Sequence, residues 1–189
     1  YGTGLRPRGC HGGTANPVLF EQLEEMAISV DATFKETMTG SFVAIHVWGK
    51  LKNRRLLLDR VHARMDFTDT VSALRKVIAK WPGARRKLIE GKANGDAIIS
   101  TLQRQHGISG CEAVPVMASK EKRTHAMQPY QSAGDVELPD GAPWLGEYIA
   151  EHAAFPNGPH DDDIDAQSQA LQGLERARDG AWKYGDLRL

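Results

Sequence analysis

Short apolar runs dominate the first third of the chain, and apolar residues at helical spacing dominate the rest. Met26 to Val30 is a compact apolar run that predicts a buried strand delivering Asp31 at its C-terminal end. Phe42 to Trp48 and Arg55 to Val61 read as two further strands, and the polar segment Lys50 to Arg54 between them suits a hairpin. Asp66 to Trp81 then carries Phe67, Val71, Leu74, Ile78 and Trp81 at three-to-four residue spacing, which predicts an amphipathic helix stopped by Pro82-Gly83. Beyond it the pattern predicts strands at Lys87 to Glu90, Ala113 to Met117 and Val136 to Leu138. Helices are expected at Asp96 to His106, Lys120 to Ala133, Trp144 to Phe155 and Asp161 to Leu174. Pro115 places its strand near a sheet edge, and Pro129 should kink or end its helix.

Three strands joined by short loops imply an antiparallel meander, and the strand-helix alternation after them requires parallel crossovers. The expected fold is therefore α/β, a mixed sheet flanked by helices. Residues 25–175 carry this pattern, whereas 1–24, rich in Gly, read as a linker or a remnant of an upstream region and 176–189 as a C-terminal tail. Pro17 to Glu25 has enough apolar residues for one or two helical turns, and Trp182 and Tyr184 lie in a tail of weak periodicity. A start at Tyr1 without an initiator Met fits an excised piece of a longer protein. No apolar stretch approaches the roughly 18 residues of a membrane span. The two cysteines, Cys10 and Cys111, are too few and too far apart for a disulfide framework, so a reducing cytoplasm fits best, and Cys10-His11 reads as solvated linker rather than a metal site. The 24 basic and 24 acidic residues cancel, so any hold on nucleic acid must come from local patches or bound ions.

The acids are more informative than the net charge. His160, Asp161, Asp162, Asp163, Ile164 and Asp165 follow a Pro-Asn-Gly-Pro turn at the start of the last helix. Such a run repels itself, and two readings explain it: divalent metal ligands, or a helix cap at Asp161 with solvated neighbours. Asp31 and Glu90 each end a strand, so the three acidic positions can converge at one end of the sheet, where ligand sites form in such folds. Carboxylate oxygens without cysteine suit Mg²⁺ or Mn²⁺ better than Zn²⁺. Two such ions about 4 Å apart can activate water and stabilise a leaving oxygen without a nucleophilic side chain. Helical spacing puts Asp162 and Asp161 each on a face with Asp165, and Asp163 elsewhere, as a bystander. His160 is a hydrogen-bonding partner behind the ligands, a proton shuttle, or a loop residue. Asp59, Asp66, Asp69, Asp135 and Asp140 suit structural positions in strand, helix start and turns.

Several segments together resemble one family. Ser29-Val30-Asp31-Ala32-Thr33-Phe34-Lys35, Val47-Trp48-Gly49, Leu57-Leu58-Asp59, Arg64-Met65-Asp66-Phe67, Ile89-Glu90-Gly91-Lys92-Ala93-Asn94-Gly95, Ser119-Lys120-Glu121-Lys122-Arg123, Leu138-Pro139 and Phe155-Pro156-Asn157-Gly158 through Asp165-Ala166 look like the C-terminal nuclease domain of phage or prophage terminase large subunits. The resemblance runs from about Glu25 to Leu174 with the motifs in family order. It implies an RNase H-like fold and a metal-dependent endonuclease that cuts concatemeric double-stranded DNA during genome packaging. It further implies two Mg²⁺ or Mn²⁺ ions held by Asp31, Glu90 and some of Asp161, Asp162 and Asp165. The implied partners are double-stranded DNA, an upstream ATPase domain, the terminase small subunit and the portal, in the host bacterial cytoplasm and transiently at the procapsid. No G-x-x-x-x-G-K-[ST] pattern occurs, so ATP hydrolysis would belong to the upstream part. Lys35, Lys92, Lys120, Lys122 and Arg123 are the candidate DNA-facing cations. The competing readings are another RNase H-like nuclease of resolvase or recombinase type, which shares the acidic logic but not the Ala-Asn-Gly and Phe-Pro-Asn-Gly segments, and a non-catalytic module that docks DNA or the portal.

Overall fold

The computed structural model describes residues 22–32, 41–91, 93–115 and 119–176. The expectations for residues 1–21 and 177–189, which include the linker, Cys10-His11 and the distal tail, lie outside the described residues.

Strands β1 (Glu25–Ala32), β2 (Ser41–Leu51) and β3 (Arg54–Met65) form the antiparallel meander. Helix α1 (Phe67–Lys80), strand β4 (Arg86–Glu90), helix α2 (Ala93–His106) and strand β5 (Cys111–Val114) follow, then helix α3 (Lys120–Ala133), strand β6 (Val136–Glu137), and helices α4 (Leu145–Ala154) and α5 (Asp162–Glu175). The sheet order is β5-β4-β1-β2-β3-β6, with β4 parallel to β1, β5 parallel to β4 and β6 parallel to β3. This is the expected mixed α/β sheet. β5 is the edge strand that Pro115 implied.

Alternation on the strands decides which residues meet which helices. Ile28, Val30, Val43, Ile45 and Ile89 join Val71, Leu74, Ile98 and Leu102 in a core under α1 and α2. Ala27, Trp48, Leu57 and Leu88 join Met127, Tyr148, Ile164, Leu171 and Leu174 in a second core under α3, α4 and α5. Ser29 and Asp31, which alternate with Val30, therefore stand on the α5 side, as does Glu90, which alternates with Ile89. Val30 pairs with Ile89 across the parallel strands, so Asp31 and Glu90, each one residue further on, come side by side.

Asp31 lies inside β1 rather than at its end, because pairing with β2 continues through Ala32. The hairpin closes with Leu51 opposite Arg54 over Lys52 and Asn53, Lys52 taking the left-handed conformation at φ 54°. Asp66 caps α1, its side chain accepting from the Asp69 N–H at 2.8 Å. Of the two outcomes expected at Pro129, a kink or an end, the end does not occur: α3 continues to Ala133. The Pro129 ring and His125, whose carbonyl loses its helical partner, are both exposed, so water can satisfy that oxygen.

Helix α5 is buried on nearly every side, with Ile164, Ala166, Ala170, Leu171 and Leu174 enclosed along with the polar Asp163, Gln167, Ser168 and Gln169. Gly173 permits this approach: a Cβ there would meet Leu88 Cδ1 at 2.2 Å. Gly95 does the same for α2, because a Cβ would stand 1.9 Å from the Glu90 carbonyl oxygen, a backbone atom that cannot rotate away. Gly95→Ala should therefore destabilise the domain by about 1–3 kcal/mol despite alanine's better helix propensity. Urea unfolding of the purified variant checks this, and an unchanged midpoint would refute it.

Candidate metal centre

Asp31, Glu90 and Asp165 line one small hollow at the C-terminal ends of β1 and β4, together with Arg123, Ser168, Gln169, Gln172, Val114 and Pro115. Its free volume of about 20 Å³ suits ions and water rather than an organic ligand. Asp31 is only 4% exposed. Asp161 holds the N-cap position of α5 but makes no capping side-chain bond; its carboxylate accepts from Arg123 Nη1 at 3.2 Å instead. The same Nη1 donates to Asp165 Oδ1. Burial raises the Asp165 carboxyl to about 6 although Arg123 pulls it down, and Asp161 and Glu90 add to the rise. Acids short of positive charge, with oxygen-only donors, fit a divalent cation.

The remaining acids of the run go elsewhere. Asp162, expected on the metal side with Asp165, stands with His62 and His160, its Oδ2 3.7 Å from His62 Nε2 and 4.0 Å from His160 Nδ1. His160 packs edge-on against Phe42 at 4.5 Å and lies outside the hollow's lining. Asp163 faces away from the hollow, as helical spacing required, but it is not a solvated bystander: it is fully buried. Arg60 Nε donates to both its oxygens at 3.0 Å, Arg60 Nη2 to Oδ2 at 2.7 Å, and His46 Nε2 to Oδ1 at 2.8 Å. Trp48 Nε1–H donates to His46 Nδ1 at 3.4 Å, which leaves the His46 proton on Nε2. Burial lowers the His46 pKa, so this imidazole is neutral. Burial alone would raise the Asp163 carboxyl, but the bonds from His46 and Arg60 outweigh it and hold the group well below the usual carboxylate range.

Sheet register explains this cluster. His46 pairs with Arg60 and Ala44 with His62 across β2 and β3, so the three polar side chains share the face on which α5 sits. A second tie fixes the other side of α5. Ser29 Oγ–H donates to the Ala166 carbonyl at 2.7 Å, and Gln169 Nε2 donates to Ser29 Oγ at 2.9 Å, Leu88 O at 2.8 Å and Val30 O at 3.3 Å. One amide thus links the strands that carry Asp31 and Glu90 to the helix that carries Asp165. Neither tie was evident from periodicity. The available signal was polar residues, Ser29, His46 and Arg60, at strand positions where alternation demands burial.

Of the five candidate cations, Lys35 and Lys92 lie outside the described residues. Lys120 opens α3, Lys122 is exposed beside it, and Arg123 points into the hollow.

His62, Glu151 and Asp163 offer ligand atoms within 4.8 Å of one another, a second constellation with metal-like spacing. Its hydrogen bonds argue against an ion. Arg60 Nη2 can only donate, so His62 Nδ1, the ring nitrogen 3.9 Å from Asp163 Oδ2, accepts at 2.8 Å and its lone pair is already engaged. Glu151 accepts from the Asp163 N–H at 2.8 Å, and burial followed by the Asp163 charge raises its carboxyl to about 7. The folded protein therefore holds a proton on Glu151 that the unfolded chain, near 4.5, releases. That contribution is present at low pH and is lost as pH rises through about 7. Glu151→Gln should accordingly gain stability relative to the parent between about pH 5 and about pH 8 in parallel denaturant titrations; equal slopes would refute the assignment. Asp163→Ala leaves Arg60 buried without its main partner and should cost about 3–5 kcal/mol by urea unfolding.

The chain matches the family model described as the terminase RNase H-like domain over residues 28–174. No curated protein matches. Among solved structures, the zinc-bound large terminase nuclease of thermophilic phage G20c is 18% identical, with a TM-score of 0.60 over 78% of this chain and 80% of that one. The same nuclease is also known with magnesium or cobalt bound. The human cytomegalovirus terminase nuclease domain is 11% identical, with a TM-score of 0.61 over 79% and 82%. The Mn-bound nuclease domain of the large terminase g2p from bacteriophage SPP1 is 18% identical, with a TM-score of 0.56 over 82% and 89%. The sheet order, the helices on both faces and the position of α5 are those of an RNase H-like fold. With the family model covering most of its length, this chain belongs to the terminase RNase H-like nuclease domain family.

Proposed function

We propose that this domain is a metal-dependent endonuclease that hydrolyses phosphodiester bonds of double-stranded DNA during viral genome packaging. The observation that carries the reading is the convergence of Asp31, Glu90, Asp161 and Asp165, from three elements distant in sequence, around one hollow in which Arg123 is the one cationic side chain among the described residues. Asp31, Glu90, Asp165 and Asp161 would hold two divalent cations, Mg²⁺ or Mn²⁺, in keeping with the oxygen-only donor set and with the ions named for the G20c and SPP1 nucleases. When bound, such ions supply a more acidic water and stabilise charge on the leaving oxygen.

The chain's own residues supply the rest. Asp31 and Glu90 are held on adjacent parallel strands, so their separation is set by the sheet. Gln169 and Ser29 keep Asp165 in register with them. Arg123 presents a guanidinium suited to a phosphate oxygen, and the exposed Lys122 adds backbone attraction without sequence preference. Asp162 and His160 sit beside this set, near His62, and act as its border. The full enzyme would join this domain to an upstream ATPase and work with the terminase small subunit and portal in the host cytoplasm. No described helix is long and apolar enough to cross a membrane.

Supercoiled plasmid incubated with the domain and Mn²⁺ should be nicked and linearised. Asp31→Asn or Glu90→Gln should lower the rate by at least about a hundredfold, since changes merely adjacent to metal ligands cost up to that much. Undiminished cutting by Asp31→Asn would overturn the assignment. No cutting by the parent, with no Mn²⁺ bound, would favour a docking module.

A further inference from the structure

The cation inside the acidic hollow belongs to the protein itself. Arg123 Nη1 lies against Asp165 Oδ1 and 3.2 Å from Asp161 Oδ2, and its side chain is 14% exposed. These are oxygens that the metal-centre reading assigns to ions. A divalent ion bound to the same atoms would stand about 2 Å from them. The guanidinium would then share its oxygens with a second cation at close range and low dielectric, which is strongly repulsive. Both cannot hold the pair of carboxylates at once.

A second observation marks the present contact as incomplete. Among the described residues, Arg123 Nε is buried without a hydrogen-bond partner. A guanidinium satisfied by its surroundings uses its fork on two acceptors in one plane, and a phosphodiester offers two such oxygens where a pair of separated aspartates does not. Arg123 sits in the first turn of α3, the helix that faces α5, so a change of side-chain rotamer moves the charge off Asp165 without unpacking either helix.

We propose that Arg123 is the built-in counter-cation of this centre: it competes with metal ions for Asp161 and Asp165 in the free protein, and a DNA phosphate that engages it opens the site to metal. This rests on the metal-centre reading above. Metal and DNA then bind with positive coupling, each raising the affinity for the other by the same factor. A terminase domain built this way stays weakly loaded until DNA is present.

The test is Mn²⁺ binding, read from the free-ion electron paramagnetic resonance signal at several values between about pH 7 and about pH 8.5, with affinities compared where they no longer change with pH. Arg123→Gln and Arg123→Met, the latter keeping the apolar stem, should each bind Mn²⁺ about tenfold more tightly than the parent, a change typical of removing one charge-assisted hydrogen bond. A short phosphorothioate duplex should raise Mn²⁺ affinity more in the parent than in either variant. Folding of each variant is checked by circular dichroism. If the parent binds Mn²⁺ and both variants bind it equally or more weakly, or if the duplex raises affinity equally in all three, the competition is overturned while the metal centre stands. If neither parent nor variants bind Mn²⁺, the metal centre falls and the competition with it.

Discussion

Everything at the functional end of this domain depends on how the first turn of α5 is held against the sheet. That turn carries Asp161 to Asp165, a density of negative charge that would ordinarily favour solvent. One of them, Asp163, is instead driven fully into the interior and saturated by Arg60 from β3 and His46 from β2. A buried carboxylate is tolerable only with its charge matched and its lone pairs filled, and both conditions are met here. The helix start is thereby fixed in rotation as well as position. With Asp163 turned inward toward Arg60, a helical step of two residues turns Asp161 and Asp165 toward β1 and β4.

The same helix thus uses identical side chains in opposite ways. Asp163 lies among donors and its carboxyl is held far below the ordinary range, so it is inert. Asp165 lies among other acids with one shared guanidinium, and burial raises it to about 6. Such a separation of environments between neighbouring titratable groups is characteristic of functional sites. It also explains why the Ser29–Gln169 tie is needed. An under-neutralised set of carboxylates pushes its elements apart, and the hydrogen bonds among Gln169, Ser29, Val30 and Leu88 hold the strands and helix together behind them. At the far end of α5, Lys50 and Arg86 donate to the Leu174 and Gly173 carbonyls, adding positive charge where the helix dipole is negative.

Much of the fold was legible in the chain. Short apolar runs around Val30 and Leu57, alternation around Ile45 and period-3.6 spacing around Leu74 located elements to within a few residues, because burial of a strand or of a helix face imposes those patterns. The proline in α3 left open whether the helix ends there, since its cost depends on whether the orphaned carbonyl reaches water. The site was legible in part. Asp31 and Glu90 stood out as acids beside apolar strands, but the division of labour within the acidic run did not follow from spacing alone. Asp162 lies only about sixty degrees around the helix from Asp165, and which side of that angle faces the hollow is set by neighbours. His62 and His160, recruited from β3 and the preceding loop, accompany Asp162 at the border of the site.

The sequence by itself determined a mixed α/β sheet, the strand and helix that bear each acid, and a donor set of hard oxygens, because these follow from local periodicity and side-chain chemistry. Only the tertiary structure decided that Asp163 is the anchor, that Asp165 lines the hollow and that Asp161 joins it through Arg123. It alone also decided that Arg123 stands among them. Those assignments rest on the rotation of α5 against β2 and β3, which is set by contacts between residues more than a hundred positions apart, such as His46 with Asp163.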